Sequence, residues 1–249
     1  IVGSTTYGYN LSPGLSARIR LPAGCAVDAN NTFYTVELGG NRLRSMDLEG
    51  GTQTNLGGSE SDTSGTDNGD ASTMRFYGPS DATLLADGVT LAISEFYNRC
   101  LRKYDIPTGV IRDFVGTCGA AAGTAYDVTG TSAQIGQIHQ LILDPIAQSD
   151  LYFTSTENHH VLKTTNAGYV SRVAGSTVGY TDHTTATSAQ FDEPAAFERQ
   201  VSTGDLFVFD RNNHRLRRIA GGTGAVTTFA GSGVNNNADG VGTSAQIGV

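Results

Sequence analysis

This 249-residue sequence predicts an all-β protein built from repeats of one four-stranded antiparallel unit. Two observations carry the prediction. Short apolar or alternating runs bounded by Gly, Asn, Asp, Ser and Thr fill the chain, whose glycine content is 32 residues, while helical apolar periodicity is absent. In addition, three independent landmarks recur from end to end with one period of about 57 residues, which leaves no linker and argues for one continuous architecture.

The repeat unit is clearest at Leu206 to Gly231. Leu206 to Asp210 reads as a strand, Arg211 to Asn213 as a tight polar turn, His214 to Ala220 as a second strand and Val226 to Ala230 as a third. The turn and strand Asn213-His214-Arg215-Leu216-Arg217 recurs as Gly40-Asn41-Arg42-Leu43-Arg44, Asn98-Arg99-Cys100-Leu101-Arg102 and Asn158-His159-His160-Val161-Leu162. Its apolar residue steps by 58, 60 and 55 positions from Leu43 to Leu216. The second landmark is Ala17-Arg18-Ile19, Thr73-Met74-Arg75-Phe76, Ala133-Gln134-Ile135, Ala189-Gln190-Phe191 and Ala245-Gln246-Ile247. The third is the glycine after the last strand, read as Gly3, Gly57, Gly116, Gly175 and Gly231.

In chain order, an innermost strand precedes each meander, beginning after Pro22, Pro79, Ile138 and Pro194. The units therefore span residues 22–57, 79–116, 138–175 and 194–231, separated by junctions at 3–21, 58–78, 117–137, 176–193 and 232–249. Four antiparallel strands per repeat with a long junction make a β-propeller blade. Ile1-Val2 reads as the tail of a further fourth strand, and the chain as an internal segment of a longer repeat protein. Its edges are then expected to be covered by further blades or by copies of itself, as a homo-oligomer or filament.

The Asn-His-Arg-Leu-Arg segment, the Asp210 before it and the junction from Ala230 to Ile247 resemble NHL-repeat β-propellers. The resemblance covers essentially the whole chain. It is strongest in the fourth block and weaker in the third, where His160-Val161-Leu162 replaces Arg-Leu-Arg. It implies the blade fold and a binding role, and is poor for function, because the family includes RNA-binding, protein-binding and enzymatic propellers.

Comparing the blocks with one another isolates the charged positions. The second strand ends in Glu37, Glu95, Ser155 and Asp210, and seven residues later stand Arg44, Arg102, Leu162 and Arg217. Acid and base are lost together in block three. This predicts structural cross-strand ion pairs Glu37 with Arg44, Glu95 with Arg102 and Asp210 with Arg217, each contributing roughly 0.2 to 1 kcal/mol.

Cys100 and Cys118 fall within a few residues of register across a hairpin centred on Pro107-Thr108-Gly109, so a disulfide or two unpaired thiols both fit. The disulfide implies an oxidising compartment, extracellular or cell-surface, which also suits the glycosylation acceptors at Asn10 and Asn30. Cys25, in an innermost strand, reads as a small buried side chain. Calcium is the one cofactor the junctions suggest, through Asp67, Asp70 and Asp239, against the reading of these residues as turn formers; none matches a twelve-residue calcium loop. His139 begins an innermost strand, where the resemblance places metal ligands in NHL-type lyases, but the other blocks have Ala23, Ser80 and Ala195 there. No Ser/His/Asp set, phosphate loop or carboxylate pair has a spacing that specifies catalysis.

With 16 basic and 24 acidic residues the formal charge is −8, and the bases sit beside acids, which excludes nucleic acid as the expected partner. No apolar run reaches the roughly 18 to 20 residues of a membrane helix, so no membrane insertion is expected. The functional expectation is a non-catalytic extracellular module that binds protein or glycan. The alternative is a secreted metal-dependent lyase or hydrolase with its site in the propeller channel.

Overall fold

The strand-forming runs assemble into four antiparallel sheets, each in sequence order, in a computed structural model that describes residues 18–248. The readings placed on Ile1-Val2, Gly3, Asn10 and Ala17 lie outside the described residues. Blade one comprises β1 (Pro22–Val27), β2 (Thr32–Glu37), β3 (Arg42–Asp47) and β4 (Gln53–Gly58). Blade two comprises β5 (Pro79–Leu84), β6 (Thr90–Glu95), β7 (Cys100–Asp105) and β8 (Val110–Val115). A short β9 (Val128–Thr129) precedes blade three, which is β10 (Leu141–Leu143), β11 (Asp150–Ser155), β12 (His160–Thr165) and β13 (Tyr169–Ala174). Blade four is β14 (Pro194–Arg199), β15 (Leu206–Asp210), β16 (Arg215–Ile219) and β17 (Val226–Ala230).

Local chemistry explains the elements. The second strands β6 and β11 are buried on both faces after their first residue, which is why they read as continuous apolar runs rather than alternations. Turns between strands are tied by aspartates that accept backbone amides two to four residues on. Asp28 accepts from Asn30 and Thr32, Asp87 from Val89 and Thr90, and Asp105 from Thr108. The turn between second and third strands ends in a left-handed residue in every blade: Asn41, Arg99, His159 and His214, with φ between 50° and 60°.

That turn also corrects one landmark. The first-block equivalent of Gly116, Gly175 and Gly231 is Gly58, whose φ is +99°, and not Gly57, which pairs with Leu43 inside the sheet. A Cβ on Gly58, Gly175 or Gly231 would lie 2.2 to 2.4 Å from the carbonyl oxygen of Asn41, His159 or His214. The repeat therefore keeps glycine because two backbones meet there.

The junctions are more than loops. Gly69 exchanges hydrogen bonds with Ile111 of β8 at 3.2 and 2.8 Å, β9 pairs with β13, and His183 exchanges bonds with Val226 of β17 at 3.1 and 2.8 Å. Each gives the outermost strand of the blade that follows it a partner, which blunts an otherwise open edge.

The chain divides into two compact units. The first holds blades one and two, with a core around Val36, Leu43, Phe76, Leu91 and Ile93. The second holds blades three and four, with a core around Val161, Phe191, Phe197, Val208 and Val226. Leu43, Leu101 and Val161 are buried, whereas Leu216 at the same repeat position is partly exposed. Cys25 is exposed, contrary to the expectation of a buried side chain, because alternation along β1 turns it outward. No helix among the described residues is long and apolar enough to cross a membrane.

Candidate interaction face

The acid and base positions singled out in the sequence converge in buried networks. In blade two, Arg102 donates to Glu95 Oε1 at 2.9 Å, to the Arg75 carbonyl at 2.6 Å, to the Asp67 carbonyl at 2.6 Å and to Asn68 Oδ1 at 2.9 Å, with its guanidinium over the Phe76 ring. The other oxygen of Glu95 accepts from the Tyr77 amide and from Asn98, both at 2.7 Å. Blade four repeats the plan. Arg217 donates to Asp210 and Asp182, both at 2.7 Å, and to the Gln190 carbonyl at 2.9 Å, over the ring of Phe191. In blade one Arg44 meets Glu37, and Arg42 reaches Asp62 at 2.6 Å.

Two expectations about these residues change. Their side chains are 0 to 1 % exposed, so they are desolvated networks rather than surface pairs, and the cost of breaking one is several times the surface value. They are also not directly opposite: Glu95 faces Cys100 and Asp210 faces Arg215, so each pair meets diagonally on one face of its sheet. Burial pushes Glu37, Glu95 and Asp210 above the ordinary carboxylate range, while the arginines and backbone amides pull them back. The networks also explain the second landmark. Arg75-Phe76 and Gln190-Phe191 supply a carbonyl and a ring to the buried guanidinium.

Sequence comparison missed the junction partners, although their spacing is visible. Asp67 and Asp182 each stand 35 residues before the arginine that they hold. In blade three Ser155 and Leu162 replace the charged pair, and Ser155 Oγ accepts the Gly136 amide at 2.8 Å, as Glu95 accepts that of Tyr77. Buried His160 fills this blade, accepting at Nδ1 from the Tyr126 hydroxyl at 2.9 Å and donating from Nε2 to the Ser176 carbonyl at 2.9 Å. Burial lowers its pKa to about 4, so it is neutral at pH 7.

Cys100 and Cys118 are joined by a disulfide, their Cα atoms 5.1 Å apart. It ties β7 to the start of the following junction. Asn30 is exposed in the β1–β2 turn. Asp67 contributes its carbonyl to Arg102, and Asp70 closes a turn by accepting from the Ser72 hydroxyl and amide, which hold its carboxyl low. Asp239 is exposed. None of these three belongs to a group of three or more metal-ligating side chains among the described residues; the one such group, Glu95, Cys100 and Cys118, contains the disulfide. His139 is half-buried, its amide bonded to Thr154, and burial lowers its pKa.

Among the exposed aromatic residues, two tyrosines stack on each other. Tyr77, just before β5, and Tyr97, just after β6, stack with centroids 4.7 Å apart, and Phe96 meets Tyr97 edge-on at 5.0 Å. Both tyrosines are 43 % exposed. Their backbones are tied together, since the Phe96 amide bonds the Gly78 carbonyl at 2.8 Å and Gly78 underlies the Tyr97 ring. The Gly78 amide in turn bonds Asn41 of blade one at 2.8 Å. Blade four has the ion pair Glu193–Arg211, 2.5 Å, at the corresponding end.

Four-stranded antiparallel sheets of this kind match those of β-propeller-like proteins. Neither a protein-family model nor a curated protein matches the chain. Solved structures do. An auxiliary nutrient binding protein from Bacteroides ovatus aligns with a TM-score of 0.65 at 20 % identity, over 85 % of this chain and 49 % of its own. A structure of a nidogen/laminin complex aligns at 0.59 and 13 % identity, over 86 % of this chain and 66 % of its own. Virginiamycin B lyase from Staphylococcus aureus aligns at 0.53 and 15 % identity, over 84 % and 55 %. The chain thus spans about half the length of the nutrient-binding structure, and these likenesses establish the fold alone.

Proposed function

We propose that the chain is part of an extracellular, non-catalytic NHL-type β-propeller that binds a protein or glycan through the end of blade two that carries Tyr77, Phe96 and Tyr97. The observation that carries this reading is the exposed tyrosine stack. Aromatic faces fixed by packing supply contact area at low entropic cost, to sugar rings and to protein side chains alike. The disulfide and the exposed Asn30 acceptor support an oxidising, secreted setting. The similar structures include proteins described as nutrient binding and a complex of two proteins, which accords with a binding role.

A glycan array and a panel of extracellular-matrix proteins, screened with the wild-type chain and with Tyr77→Ala and Tyr97→Ala, test the proposal. The expected result is a ligand whose affinity falls at least about tenfold, near 1.4 kcal/mol, in each variant while the melting temperature is kept. A ligand bound equally well by both variants would contradict it. The lyase or hydrolase alternative has a separate readout: stoichiometric zinc or calcium that survives dialysis favours it.

A further inference from the structure

Blade three departs from blade four at the place where that blade neutralises its junction acid. In blade four the junction acid Asp182 is held by Arg217, and Thr228 opposite that arginine also bonds Asp182. In blade three Leu162 stands where the arginine would be, and the outer-strand residue opposite it is Arg172. The equivalent junction acid, Asp127, is left without a cation among the described residues; its carboxylate accepts only from the Tyr169 hydroxyl, at 3.4 Å. Arg172 has no carboxylate partner among the described residues; its guanidinium lies 3.5 Å from His160 Nε2. Both charges are exposed, and both line one cleft of about 440 Å³ with Tyr126, Thr124 and Thr177 around its wall and His160 as a buried member. Since His160 is neutral at pH 7, the cleft holds one cation and one anion that do not pair with each other.

We infer that this cleft binds a small zwitterion, a free α-amino acid being the simplest, with its carboxylate on Arg172 and its ammonium on Asp127. A pure anion would meet Asp127 and a pure cation would meet Arg172, whereas a ligand carrying both charges satisfies both. The hydroxyls of Tyr126, Thr124 and Thr177 add neutral polar contacts, and the volume accommodates an amino acid with a medium-sized side chain. The inference does not depend on the tyrosine stack, which lies in the other unit.

The test is titration of the isotopically labelled chain with free L-amino acids, one at a time at millimolar concentration, followed through its amide resonances. At least one amino acid is expected to shift Tyr126, Asp127, Arg172 and Thr177 saturably. Asp127→Asn and Arg172→Gln, both at exposed positions, should each weaken that binding about tenfold or more without changing the melting temperature. The N-acetyl derivative and the methyl ester of the same amino acid should also bind more weakly than the parent. The inference is overturned if no amino acid moves these resonances, if the saturable shifts map elsewhere, or if the N-acetyl derivative or the ester binds as tightly as the parent.

Discussion

Arg102→Met is expected to destabilise its blade by about 3 to 5 kcal/mol in chemical denaturation at neutral pH, the cost of leaving a buried carboxylate without its cation. Glu95 is fully buried and would keep only the Tyr77 amide and Asn98 as donors, while the Arg75 carbonyl and Asn68 lose the guanidinium and the Asp67 carbonyl keeps only the Arg75 amide. The loss should depend on pH in a definite direction. Burial already holds Glu95 above its ordinary value of 4.5, and removing Arg102 takes away the largest opposing influence. With the folded-state pKa above the unfolded one, the unfolded chain releases this proton first. Stability of the variant therefore falls as pH rises from about 4.5 to the folded-state value and is level beyond it. The deficit relative to wild type should accordingly be smallest at the acid end of that window.

Gly231→Ala is expected to cost about 3 kcal/mol, combining left-handed backbone strain with a steric clash that has little room to relax. At φ +95° an added Cβ would lie 2.4 Å from the His214 carbonyl and 2.9 Å from the Arg215 Cα, both backbone atoms. Gly222→Ala is the control, because nothing lies within 4 Å of its Cβ position; that variant should stay within about 0.5 kcal/mol of wild type. Equal stability of the two variants would mean that Gly231 and the left-handed His214 turn do not meet.

The blade plan was legible in the sequence because strands and turns announce themselves locally. Asp-centred turns, apolar runs such as Leu91 to Ile93 and a repeated glycine need only neighbours to be recognised. The glycine in block one was misplaced by one residue because Gly57 and Gly58 are adjacent, and only the carbonyl of Asn41 against Gly58 distinguishes them. The joint presence of acid and base was equally visible. Their burial was not, since it depends on partners far along the chain, Asp182 for Arg217 and the Arg75 carbonyl for Arg102. Cys25 shows the same limit, as strand alternation alone does not tell which face of β1 is covered. The tyrosine stack and the cleft of blade three were illegible for a similar reason. Tyr77 and Tyr97 meet only after β5 and β6 pair, and Arg172 reaches the cleft of Asp127 only through the register of β12 with β13.

The central claim, that each acid and arginine form one buried structural unit with the junction that wraps them, is tested most directly by a double-mutant cycle on Glu95→Gln and Arg102→Met, read by equilibrium denaturation at neutral pH. Glutamine keeps an acceptor for Tyr77 and Asn98 but carries no charge, so the double variant should be no less stable than Arg102→Met alone, giving a coupling of about 2 kcal/mol or more. Losses that simply add would contradict the claim, because they would mean that the two side chains do not share one desolvated site.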